Sequence, residues 1–170
     1  MRRILILATL VMALAACGGS SGGGNVAAGP ASDPVGAVNN YINAVKAKSF
    51  DKLGPLVCAA KRYQMVGAFT GAPSALLSAM TFDVQNLNVQ QTSINGDAAV
   101  VHLTGKLVTT VDAGKAKDAV KQLMGSQATD QQVNDFITAM TMNKDIAQDI
   151  DVVKENGGWV TCSSLSGIGG

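Results

Sequence analysis

The chain has 170 residues, a formal net charge of +1 and an aromatic content of only 4%. This length suits one domain with its own core and is short for two. Lys and Arg form no long run, so the sequence gives no electrostatic support for nucleic-acid binding. We therefore expect a single domain that does not bind nucleic acid.

The N-terminus has the layout of a secretory signal. Arg2 and Arg3 precede residues 4–16, which carry no charge and are fewer than the ~20 apolar residues that span a bilayer. The run ends Leu-Ala-Ala-Cys at Cys17, which resembles the lipobox of bacterial lipoproteins. The resemblance implies that residues 1–16 are removed and that the Cys17 thiol carries diacylglycerol. The alternative is an ordinary signal peptide with a chance cysteine.

Residues 17–32 are rich in Gly, Ser, Ala and Pro, which is typical of a flexible tether. A coil of this length has an r.m.s. span of ~20 Å. Each buried methylene of an acyl chain contributes ~0.8 kcal/mol, so two or more chains anchor a protein stably. We expect a domain tethered to the cell membrane or the outer membrane, facing the periplasm or the exterior.

Helical signals dominate residues 33–80. Asp33 followed by Pro34 is a helix start, and apolar side chains at helical spacing predict a helix to about Lys48. A second helix is predicted over residues 50–60, carrying Cys58, with its first turns disturbed at residues 54–55. A short third helix is predicted near residues 73–80.

The pattern then changes to that of strands. Phe82 and Val84 alternate with polar residues at even positions, whereas Leu87 and Val89 alternate at odd positions. Because side chains on a strand alternate between its two faces, this change from even to odd predicts a β-bulge. The dipeptide at residues 95–96 is Asn-Gly, a strong hairpin signal, and a long strand is expected to follow it to about residue 111.

Residues 112–145 return to helical spacing, with Thr129 or Asp130 as a cap between two helices. The domain is predicted to end with two strands joined by a Gly-rich turn. The first strand includes residues 150–153, the turn covers 155–158, and the last strand covers 159–162. Residues 164–170 are predicted to be a disordered tail.

Cys58 and Cys162 remain once Cys17 is assigned to lipid. An even pair in a compartment that permits disulfides predicts that they are bonded to each other. The chain-entropy model gives such a bridge ~4–5 kcal/mol of stabilisation. Two separate buried thiols are the alternative.

The order of these elements resembles the nuclear-transport-factor-2-like fold, and in particular bacterial lipoproteins built on it. The likeness lies in residues 33–34, 41–45, 49–53, 97–101 and 153–160. It implies an α+β domain over residues 33–163, with N-terminal helices packed on a curved antiparallel sheet that forms a cone. The helical insertion at 112–145 stands where the family has a short turn, and it either covers or fills the mouth of the cone.

Candidate chemistry is sparse. His102 is the only histidine, and it is either a general base in a cavity or a hydrogen-bonded sheet residue on the face opposite Val101 and Leu103. Tyr41, His102 and Trp159 are the candidate pocket residues, although core packing also accounts for Tyr41 and Trp159. Three aspartates near the last helix are either a weak cation site or a solvated edge: Asp145, Asp149 and Asp151.

No metal-ligand spacing, nucleophile elbow or phosphate-binding loop is recognisable, so no cofactor is predicted. The leading hypothesis is a non-enzymatic module of the cell envelope that binds a small apolar ligand or an envelope protein. There are two alternatives. One is a small isomerase-like or dehydratase-like enzyme on the cone-shaped fold, and the other is a structural component of the envelope.

Overall fold

The computed structural model describes residues 29–70, 74–125 and 127–165. The predicted signal peptide, Cys17 and most of the predicted tether lie outside the described residues, as do residues 166–170. In chain order the elements are α1 (Pro34–Lys46), two 3-10 turns (Phe50–Lys52 and Gly54–Leu56), α2 (Arg62–Thr70), α3 (Ser74–Ala79), β1 (Met80–Asn95), β2 (Ala98–Val111), α4 (Ala113–Met124), α5 (Asp130–Met140), β3 (Met142–Glu155) and β4 (Gly158–Thr161).

The four strands form one antiparallel sheet in the order β1-β2-β3-β4, curved into a half-barrel. The helix α1 packs on this sheet and contacts all four strands. The predicted α+β class, with helices on a curved antiparallel sheet and a helical insertion between strands, is therefore confirmed.

The first helix begins as its sequence predicts. The side chain of Asp33 accepts a hydrogen bond from the Gly36 N–H at 2.7 Å, and Pro34 occupies the first turn, where a missing N–H costs nothing. One face of α1 is buried against the sheet: Ala37, Val38, Tyr41, Ile42, Ala44 and Val45. The helix ends at Lys46, two residues before the expected end.

The predicted second helix over residues 50–60 is wrong. Pro55 lacks an N–H, and its ring does not fit inside a regular α-helix, so the chain around it forms two short 3-10 turns. Val57 is extended and bridges Thr161, and Cys58 therefore follows an extended residue rather than lying on a helix. The next helix, α2, starts only at Arg62.

The parity slip in β1 is a bulge, as predicted. The register between β1 and β2 shifts between Gln85 and Asn88, and again between Gln91 and Ser93. Across from the first shift lies Gly105, where a Cβ atom would stand 2.9 Å from the Gln85 carbonyl oxygen. The missing side chain thus lets the bulged backbone approach β2 closely. The hairpin turn after Asn95 is also confirmed.

The helical insertion ends earlier than predicted. Residues 142–145 belong to β3, where they pair with residues 106–109 of β2, and these ladder bonds override the helical spacing of the side chains. Thr129 caps α5 with a capping box to Gln132. The insertion helices pack with α3 around a small second core: Leu76, Ala79, Ala116, Ala119, Val120, Val133 and Ile137. None of these side chains belongs to the main core beneath α1.

Both domain boundaries extend beyond the predicted ones. Ala31, assigned to the tether, exchanges two backbone hydrogen bonds with Trp159 at 2.8 and 2.9 Å and is buried. Leu165, assigned to the disordered tail, is only 2% exposed and belongs to the main core. Ser164, which precedes Leu165 in the chain, accepts a hydrogen bond at its carbonyl from the Gln148 side-chain amide at 3.2 Å. The described folded part therefore begins at or before Ala31 and reaches Leu165.

The disulfide between Cys58 and Cys162 is present, with the two Cα atoms 5.2 Å apart. It joins the segment after the 3-10 turns to the end of β4. Close to it, the Cys58 N–H donates to the Thr161 carbonyl at 2.9 Å. The predicted pairing is confirmed, and the alternative of two separate buried thiols is wrong.

Candidate functional site

A groove of about 500 Å³ lies where the β3–β4 hairpin, the 3-10 turns and the N-terminal segment meet. It is open to solvent on one side, and its wall combines apolar and charged side chains. The lining residues are Pro30, Gly54, Pro55, Arg62, Glu155, Asn156 and Val160. This volume is in the range of small-molecule sites.

Arg62 supplies the positive charge of the groove. As the first residue of α2, it reaches back to the preceding turns, where its Nε donates to the Gly54 carbonyl at 2.8 Å and its Nη2 to the Val57 carbonyl at 3.2 Å. A guanidinium has five N–H donors, so these two bonds fix its plane and leave others for a ligand.

Glu155 supplies the negative charge. Both of its carboxylate oxygens accept from the Ala59 N–H at 3.1 Å. Asn156 and Gly157 turn the chain directly after it with positive φ angles, which is typical of a tight Asn-Gly hairpin. Both charged side chains are thus bonded to residues 54–59, a segment that the disulfide at Cys58 ties to β4.

The groove combines one cation, one anion and apolar side chains. Among the described residues that line it, Arg62 and Glu155 are the titratable ones, and none carries an imidazole, a thiol or a hydroxyl group. A guanidinium and a carboxylate beside Pro30, Pro55 and Val160 suit a small molecule that carries both charges and an apolar part.

Tyr41 does not line this groove. It lies on α1 in the main core, and its hydroxyl is buried without a hydrogen-bond partner among the described residues. Because desolvation disfavours the phenolate, burial raises the pKa of Tyr41 to about 12.

We predict that Tyr41→Phe keeps or raises the stability of the protein. The variant removes an unpaired buried hydroxyl, so the free energy of unfolding is expected to be unchanged or higher by ~1 kcal/mol.

The pH dependence of stability in the wild type follows from the same hydroxyl. The contribution of the raised Tyr41 pKa to stability is fully present below pH ~10, the ordinary tyrosine value, and it is lost as the pH rises toward 12. Urea melts of both proteins at pH 7 and pH 11 measure the two effects. A loss of stability at pH 7 would show that the hydroxyl is hydrogen-bonded.

Trp159 and His102 lie in different environments. Trp159 is buried in β4 and belongs to the same core as Tyr41. His102 lies on the outer face of β2, 42% exposed, with its Nδ1 2.7 Å from the Asp149 carboxylate on β3. The structure brings Tyr41 and Trp159 into one core but places His102 outside it, as a hydrogen-bonded sheet residue.

The three aspartates do not converge. They lie on the exposed face of β3, where Asp149 contacts His102 and Asp151 accepts from the Ser163 hydroxyl at 2.9 Å. Asp145 is in register with Lys106 of β2. Within the described ranges, no group of three or more His, Cys, Asp or Glu side chains is placed to hold a metal ion.

The insertion carries exposed large apolar side chains. Leu123 continues the stripe of α4 that packs into the second core, yet it is 51% exposed. Met124 and Phe136 are also exposed. An apolar surface on the insertion is what the protein-interaction hypothesis requires.

Sequence reasoning missed the groove because neither charged residue belongs to a motif. Arg62 falls between the predicted second and third helices, and Glu155 appeared only as part of a turn. The hairpin signal at residues 156–157 was the one available indication, and it marks a turn rather than a site.

Among the residues that the structure describes, no helix is both long and apolar enough to cross a bilayer. A scan against protein-family models finds no match to the sequence. A search of curated proteins finds none either.

Proposed function

We propose that the protein is a bacterial lipoprotein that acts as a non-enzymatic ligand-binding module of the cell envelope. Residues 1–16 direct export, and acyl chains on Cys17 hold the domain at the membrane. The observation that carries the binding role is the groove, which places Arg62 and Glu155 on an apolar wall without a catalytic set. We assign the domain to the nuclear-transport-factor-2-like fold, a proposal supported by the helix α1 on a curved antiparallel sheet.

The position of the groove supports a role at the membrane surface. Pro30 lines it, and only residues 18–29 separate Pro30 from Cys17. A flexible Gly-rich coil of that length has an r.m.s. span of ~20 Å. The groove would therefore stay within a few nanometres of the bilayer and meet small molecules released from it or inserted in it.

The charges of the groove define the chemical class of the ligand. Arg62 fits a carboxylate or phosphate, because its free N–H groups match a planar or tetrahedral anion. Glu155 fits an ammonium group. We infer a zwitterionic ligand with an apolar portion that packs on Pro30 and Pro55.

The anchor is tested with Cys17→Ala in the natural host. Loss of the acceptor thiol is expected to move the protein from the membrane fraction to the released fraction and to abolish labelling by a fatty-acid precursor. Ser20→Ala, three residues away in the same segment, is the matched control and should leave both readouts unchanged. A Cys17→Ala protein that remains in the membrane fraction would disprove lipid anchoring.

The groove is tested with the dipeptide leucyl-leucine as a zwitterionic probe and its N-acetylated, amidated form as a neutral control. In backbone NMR spectra, we expect the dipeptide alone to shift the signals of Ala59, Arg62 and Asn156. Arg62→Gln and Glu155→Gln should each weaken binding about tenfold, since each removes one charge-assisted contact of ~1.4 kcal/mol. Equal shifts with the neutral control, or none with either peptide, would contradict a zwitterion site.

A further inference from the structure

We propose that two copies of this chain pair through the exposed edge of β1 and form one continuous sheet. The strand order places β1 at one edge and β4 at the other. The two edges differ in how they are covered. Ala31 and Val57 bridge Trp159 and Thr161 and so cover β4. Along β1, β2 is the only strand paired with it among the described residues. A sheet edge of unpaired N–H and C=O groups is a template for another strand.

The second half of β1 has register shifts, but it lacks the charged residues and prolines that also protect such an edge. Residues 85–95 are exposed on both faces except for the half-buried Val89, and residues 84–96 contain no charged side chain and no proline. Ile94, 54% exposed, adds an apolar contact surface. Natural edges are blunted by charge, proline or bulges, and β1 has only bulges. A regular, neutral stretch stays uncovered between them, and this points to a partner.

The side chains of this edge favour a second copy as the partner. Between the two register shifts lies the regular segment 88–91, whose sequence is Asn-Val-Gln-Gln. Antiparallel pairing about a two-fold axis sets these residues against themselves or their near neighbours. Amide side chains both donate and accept, and no like charges meet, so the segment is complementary to itself.

The geometry also limits the assembly to two copies. The register shifts at either end of residues 88–91 bend the strand and keep the regular ladder short. Pairing about a two-fold axis uses the β1 edge of both copies, so no β1 edge is left on which a third copy could add. Anchoring in one membrane would raise the local concentration of copies and favour even a short interface.

The test uses the full-length protein purified from membranes in detergent, with mass measured by analytical ultracentrifugation. We expect a concentration-dependent dimer for the wild type. Gln90→Lys sets two positive charges against each other near the two-fold axis and should raise the dissociation constant at least about tenfold. Gln122→Lys adds the same charge on exposed α4 and should leave it unchanged.

A cross-link makes the geometry explicit. Gln90→Cys is expected to form an intermolecular disulfide in native membranes, because bonded cysteines require Cα atoms within ~7 Å. Gln122→Cys should not do so. A wild-type monomer at every concentration overturns the proposal, as would a dimer that tolerates Gln90→Lys and fails to cross-link at Gln90. A dimer abolished instead by Leu123→Gln would place the interface on the insertion.

Discussion

Replacement of both Cys58 and Cys162 by serine is expected to lower the free energy of unfolding by ~3–5 kcal/mol. The bridge closes a loop with a sequence separation of 104 residues, and the chain-entropy model predicts the larger figure for loops of that length. The effect is large against the 5–15 kcal/mol that small domains have in total. Urea melts of the oxidised wild type and the double variant measure it.

Reduction provides the control for this experiment. A reductant should lower the urea midpoint of the wild type and leave that of the double-serine variant unchanged. Intact mass should rise by ~2 Da when the wild type is reduced, because each disulfide takes up two hydrogens. Equal midpoints for the oxidised wild type and the variant would show that the covalent link does not constrain the unfolded chain.

The bridge is also expected to affect the groove. Arg62 and Glu155 are bonded to residues 54–59, and Cys58 fixes that segment to the end of β4. In the double-serine variant, this segment loses its covalent attachment to β4. It keeps the hydrogen bond from the backbone N–H of residue 58 to the Thr161 carbonyl. Binding of the zwitterionic probe should therefore weaken even under conditions where the variant remains folded.

Trp159→Ala is the second change with a large expected effect, a loss of ~3–5 kcal/mol in unfolding free energy. The indole is 6% exposed in the main core, and the backbone of Trp159 pairs with Ala31. Truncation leaves a cavity that the curved sheet cannot easily fill. Thermal and urea melts measure the loss.

Tyr63→Ala is the matched control, because the Tyr63 side chain is 91% exposed and its removal should change stability by less than ~0.5 kcal/mol. The comparison also separates the two interpretations of Trp159. A variant of near wild-type stability would show that the indole is not a core anchor.

Local signals in the sequence predicted local structure well. The Asp33-Pro34 start of α1, the Asn95-Gly96 turn and the Thr129 cap each depend on a few adjacent residues, and each is found. The bulge in β1 was readable because side chains on a strand alternate with a strict period of two, so a slip of one residue is visible.

Apart from the disulfide, features set by distant contacts could not be predicted from the sequence. The extended Val57 depends on Thr161, a partner more than a hundred residues away, and apolar spacing around it mimicked a helix. The end of the insertion was misplaced because β2 pairing captures residues 142–145. The groove arises where three separated segments meet, so no contiguous pattern marks Arg62 and Glu155 together.

The attachment of Ala31 to β4 has a mechanical consequence if the chain is held by its N-terminus. A pull on the tether reaches the domain at two backbone hydrogen bonds, which would break before α1 is drawn away. When the opposing load acts beyond Cys162, extension then stops at Cys58, because the disulfide carries the force past the residues between the two cysteines. The strands β1 to β4 all lie inside that loop, so a load of this kind bypasses the sheet.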